Sequence, residues 1–94
     1  MPAKGRVLVV DEEAAVRRSL GAGLKQAGYE VVACRDGLSA IHEWHAAGQK
    51  GAGFDGMIVA AYLPDLDGLK LLKAARVLHP GLPAVVITRF GDAQ

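Results

Sequence analysis

Cysteine is nearly absent, with Cys34 the single example, so no internal disulfide can staple the chain. Aromatic residues are scarce as well, 5% against 51% hydrophobic in total, which leaves Val, Leu, Ile and Ala to build the core. Neither sign of charge dominates. A formal net charge of +1 gives no electrostatic case for nucleic acid or an anionic membrane surface. Long hydrophobic runs are missing too: the longest wholly apolar stretch, MIVAAYL at 57–63, falls far short of the about 20 residues that span a bilayer. The N-terminus is polar and has no signal-peptide core, so the expected compartment is the cytoplasm, in keeping with the lone cysteine. A chain of 94 residues is expected to form one small domain over 1–94. Such a domain buries roughly 65% of its unfolded surface.

Four apolar runs alternate with helical patterns. Val7-Leu8-Val9-Val10 is short, continuous and mostly β-branched, as in a strand buried on both faces. It stops at Asp11-Glu12-Glu13, acids that suit a helix start. Val16, Leu20, Leu24 and Ala27 then mark one face of a first helix, with Gly28 placed to cap it in the left-handed conformation. Residues 29–34 predict a second strand, and a helix with Leu38, Ile41 and Trp44 inward follows the Asp36-Gly37 turn. The segment AAGQKGAG, 46–53, predicts a flexible linker. Residues 57–61 predict the third strand, and a turn over 64–68 precedes a third helix. In that helix Leu69, Leu72, Ala75 and Arg76 form the row, with Leu71 and Leu78 beside it. It is expected to end near His79, because Pro80 disfavours helical geometry before it. Residues 84–88 predict the fourth strand. Strand–helix alternation with short connections implies right-handed βαβ units and a parallel sheet, whose carboxyl edge gathers function.

At that edge stand Asp11-Glu12, Ala60-Ala61 and Thr88. The segments VLVVDEEAAVRRSL, GYEVVACRDGLSAI, FDGMIVAAYLPDLDGLKLL and LPAVVITRFGD, in this order and spacing, resemble the receiver domain of two-component response regulators. The resemblance implies a flavodoxin-like, doubly wound parallel sheet of strand order 2-1-3-4-5. It implies that Asp11 and Glu12 stand where the family holds Mg²⁺, with Glu12 where the metal is usually coordinated directly. The family's phosphoryl-accepting aspartate ends the third strand four residues before the turn proline, and here that count lands on Ala60. Thr88 takes the family's switch position. The lysine of a fifth strand has no counterpart before the chain stops at Gln94.

Alanine carries no nucleophile, so the resemblance implies a receiver that cannot form an acyl phosphate at residue 60. Two carboxylates still suit Mg²⁺, expected to bind weakly. By themselves, Asp11-Glu12-Glu13 also read as ordinary helix-start acids, and Thr88 as a strand-end hydroxyl. His42 and His45 lie three apart on a helix with no third ligand nearby in sequence, and Cys34 and Trp44 read as packing residues. The implied role is a non-enzymatic protein-interaction module docking a histidine kinase, an output domain or another receiver. Two alternatives stand beside it: an active acceptor using the turn acid Asp65, and a small flavodoxin-like enzyme. The resemblance also implies a receiver lacking its last strand and helices. Ala84-Val85-Val86-Ile87 would then be an uncharged edge, and self-association through it is expected.

Overall fold

The computed structural model describes residues 3–51 and 53–88. Its elements run β1 (Arg6–Val10), α1 (Ala14–Gln26), β2 (Glu30–Cys34), α2 (Gly37–Gln49), β3 (Gly56–Ala60), α3 (Gly68–Leu78) and β4 (Ala84–Ile87). Among the described residues the sheet is four-stranded and wholly parallel, in the order β2-β1-β3-β4. That is the expected doubly wound arrangement as far as the described residues extend. Side chains alternate between two faces. Leu8, Val10, Cys34, Met57 and Val59 join Leu71, Leu72 and Ala75 of α3 and Ala40 and Ala47 of α2 in one core. Val31 and Ala33 turn the other way, towards α1.

Several local expectations hold for the reasons given. Gly28 adopts φ 101°, and the N–H groups of Gly28 and Tyr29 bond back to Lys25 and Leu24, closing α1 with a Schellman motif. The third helix ends at Leu78 with His79 as its cap. Cys34 is buried and Trp44 is half-buried against the core, its ring 5.7 Å from that of Phe54.

Other expectations are corrected. In α2 the buried row is Gly37, Ala40 and Ala47 with Trp44 partly covered, and Leu38 and Ile41 are exposed. Spacings of three, four and three follow the 3.6-residue turn, whereas the strict three-spacing of 38, 41 and 44 curls off the face. The segment 46–53 is not all linker, because α2 continues through Gln49 and packs Ala47 into the core. In α3 the inward row is Gly68, Leu71, Leu72 and Ala75, leaving Leu69, Arg76 and Leu78 at the surface. Ala27 is exposed as the α1 cap residue. Leu82, which precedes β4 and was not singled out as a core residue, is one of the most buried side chains. Arg76 explains its setting: the guanidinium donates through Nε and Nη2 to the Leu82 carbonyl at 3.2 and 3.0 Å, fastening the loop that feeds β4.

Candidate functional site at the carboxyl edge of the sheet

The strand register brings the ends of β1, β3 and β4 side by side. Val10 pairs with Val59 and Ala60 with Ile87, so Asp11, Ala60-Ala61 and Thr88 gather at one edge. The ladder runs one step beyond the strands, with the Asp11 N–H donating to Cys34 O at 3.0 Å and the Ala61 N–H to Ile87 O at 2.9 Å.

Asp11 is fully buried, and its Oδ1 accepts from the Glu13 N–H at 2.9 Å, an Asx turn that leads the chain into α1. Arg17, one turn into that helix, reaches back. Its Nη1 donates to the Asp11 and Glu12 carbonyls at 2.8 and 2.9 Å, shaping the acid loop from behind. Glu12 and Thr88 are exposed, and Ala60 and Ala61 are buried. A buried carboxylate, an exposed carboxylate beside it and an exposed hydroxyl therefore frame a position held by a methyl group.

The turn acids have other occupations. Asp65 reaches across to the N-terminus of α2, where Oδ1 accepts from Gly37 N and Oδ2 from Leu38 N at 2.8 and 2.9 Å. The Asp36 side chain takes the next amide, that of Ser39, at 2.8 Å. Two carboxylates thus satisfy the first three helical N–H groups of α2, where the helix dipole favours anions. Both acids are held below the ordinary carboxylate value of 3.8, Asp36 chiefly by its hydrogen bonds with Ser39 and Asp65 chiefly by the Gly37 amide. Asp67 caps α3, accepting from Leu69 N at 2.8 Å, and Asp55 accepts from Arg6 N at 2.8 Å. Gly68 sits so close to the end of β3 that a Cβ there would overlap the Ala60 carbonyl oxygen.

Burial, more than nearby acids, pushes the Cys34 thiol up to about 11, so it stays protonated at neutral pH. His42 and His45 are exposed, and among the described residues no three His, Cys, Asp or Glu side chains gather as a metal site. An apolar cavity of about 210 Å³ lies between α2 and α3, lined by Leu8, Ile41, Trp44, Met57 and Leu78, away from the acid edge. The Asp65 clamp and the Arg17 fork were missed from sequence. Asp36 three residues before Ser39 was a legible cap signal, but the contacts of Asp65 with residues 28 and 27 positions earlier were not.

A parallel sheet in the order β2-β1-β3-β4 with an acid loop at its carboxyl edge is the flavodoxin-like arrangement that the receiver resemblance implies. The family profile of the response regulator receiver domain matches residues 7–94, and the chain belongs to that family. It is 36% identical over 83 residues to Response regulator MprA of Mycobacterium ulcerans (strain Agy99), covering 88% of this chain and 34% of that protein. It is 28% identical over 94 residues to Regulatory protein AtoC of Escherichia coli (strain K12), covering 100% of this chain and 19% of that protein. The chain thus spans about a third or less of these curated relatives. Among solved structures it resembles the chemotaxis response regulator CheY4 of Vibrio cholerae, with TM-score 0.73 and 30% identity over 92% of this chain and 68% of that one. The receiver domain of the hybrid histidine kinase CckA gives TM-score 0.76 and 33% identity, covering 94% and 79%. The chain is a response regulator receiver domain of two-component systems. Receiver domains are signalling modules that interact with histidine kinases and output domains.

Proposed function

We propose that this receiver domain acts as a protein-interaction module that is not phosphorylated, because Ala60 stands where the family carries its acceptor aspartate. The observation that carries this reading is the end of β3: Ala60 closes the strand beside Ile87, four residues before Pro64. A methyl group offers no lone pair for in-line attack on phosphorus. Asp65 is a poor substitute, since both of its oxygens accept amides of α2 and the reaction tolerates little displacement. No finding favours a flavodoxin-like enzyme.

Asp11 and Glu12 would hold a Mg²⁺ ion. The donor chemistry fits loosely, as Mg²⁺ is commonly bound by one or two carboxylates with water completing the octahedron. The metal would supply charge neutralisation at this edge. The partners proposed are a histidine kinase, an output domain or another receiver, in the cytoplasm; the exposed Val85 supports a second copy meeting the β4 flank. Among the described residues no helix is long and apolar enough to cross a membrane.

The test measures affinity for the partner kinase or receiver by titration calorimetry, with and without a small-molecule phosphodonor. The dissociation constant is expected to be unchanged by the donor. A donor-dependent shift of tenfold or more would overturn the reading.

A further inference from the structure

The other flank of the sheet from β4 is formed by β2. Among the described residues β2 pairs with β1 alone. The Glu30 N–H donates to Gly5 O, and Cys34 O accepts from Asp11 N, which fixes residues 30, 32 and 34 as those bonded to β1. In a parallel ladder the intervening residues then turn their N–H and C=O groups outward, here Val31 and Ala33. Edges of this kind are usually guarded by charge; here charge stands only at the ends, Glu30 and the following Arg35, and Val31-Val32-Ala33-Cys34 between them carries none.

The edge is flanked by a hollow on each face. On one side Val31 and Ala33 meet a shelf along α1 formed by Arg18, Gly21, Ala22 and Lys25, with Arg17 at its end. A Cβ added to Gly21 would meet nothing within 4 Å, so the shelf is open. Its charged lining residues are all cations. On the other side Val32 and Cys34 border a hollow with Arg35, Ser39 and Glu43, where both signs of charge are present.

We propose that the β2 edge is a docking site for an extended acidic peptide segment that adds to the sheet as a further strand, its acids facing the α1 shelf. A strand laid about 4.8 Å from β2 would take the four outward groups of Val31 and Ala33. Side chains of such a strand alternate between faces, so every second one would lie along the shelf with Arg18 and Lys25. Charge complementarity selects acids there and rejects lysines. This goes beyond the interaction-module reading, and its failure leaves the claim about Ala60 untouched, because that claim is read by the response to a phosphodonor.

The test uses two synthetic peptides, one alternating Glu with Val and one alternating Lys with Val. Binding is followed by fluorescence anisotropy and by amide exchange of Val31 and Ala33. The Glu peptide is expected to bind, to slow exchange at both amides, and to weaken as salt is raised. Arg18→Glu with Lys25→Glu changes only exposed side chains and is expected to cut that affinity roughly tenfold while admitting the Lys peptide. Ala33→Pro removes one outward N–H at an edge position that tolerates proline, keeps the charges, and is expected to weaken binding as well. Equal binding of both peptides, unchanged exchange at Val31 and Ala33, or pairing of two copies through β2 without peptide would each overturn the proposal.

Discussion

At Gly68 the first turn of α3 approaches the end of β3 backbone to backbone, the Gly68 N–H donating to Ala61 O at 2.9 Å. A methyl group at Gly68 would lie 2.9 Å from the Ala60 carbonyl carbon and overlap its oxygen, with no flexible side chain to yield. At Gly37 a methyl group would instead run into Cδ1 and Cγ of Leu66, a side chain with rotatable bonds rather than backbone. Gly68→Ala is therefore expected to destabilise by roughly 3 kcal/mol and Gly37→Ala by about 1 kcal/mol, read from urea unfolding midpoints. Equal effects would mean that the close approach at the end of β3 is not rigid. The same contact fixes where the end of β3 sits relative to the start of α3.

Among the elements, α2 is secured from outside itself. Its N–H groups are taken by Asp36 and by Asp65 from the β3–α3 loop, so the two carboxylates tie α2 to the loop that follows the candidate site. Both are depressed below 3.8 in the folded chain. Their contribution to stability is present above the unfolded value and is lost as pH falls through the folded values. The unfolding midpoint is expected to drop below about pH 4, and Asp65→Asn is expected to flatten that dependence while lowering the midpoint at neutral pH. An Asn variant with the full acid dependence would contradict the clamp.

The presence of every strand and helix of the described fold was legible, because apolar runs and turn residues mark them locally, although the end of α2 was not. Which side of a helix faces inward was less so. Leu38 and Leu69 are apolar yet exposed, because small residues beside them, Gly37 and Gly68, take the close approach. Leu82 and Phe54 lie outside regular elements, and only tertiary packing shows that they belong to the core. Of the carboxyl edge, the positions of Asp11, Glu12, Ala60 and Thr88 were legible from motif spacing, but the long-range bonds of Asp65 were not. Residues 89–92 of the stretch LPAVVITRFGD lie outside the described residues.

At the scale of the whole molecule the two faces of the sheet differ. One is packed by α2 and α3, whereas on the other α1 lies over β1 and β2, leaving Ile58 half-buried and Val85 58% exposed. Surface of this kind marks places where further protein can pack. On the reading proposed above, the surfaces of this receiver, rather than a chemical step, would carry the signal. The measurement closest to that claim is intact-mass spectrometry after incubation with a small-molecule phosphodonor and Mg²⁺, beside a receiver that has aspartate at the end of its third strand. The control is expected to gain one phosphoryl group and this chain none. A phosphoryl adduct on this chain, mapped to Asp65 or Asp67, would contradict the account.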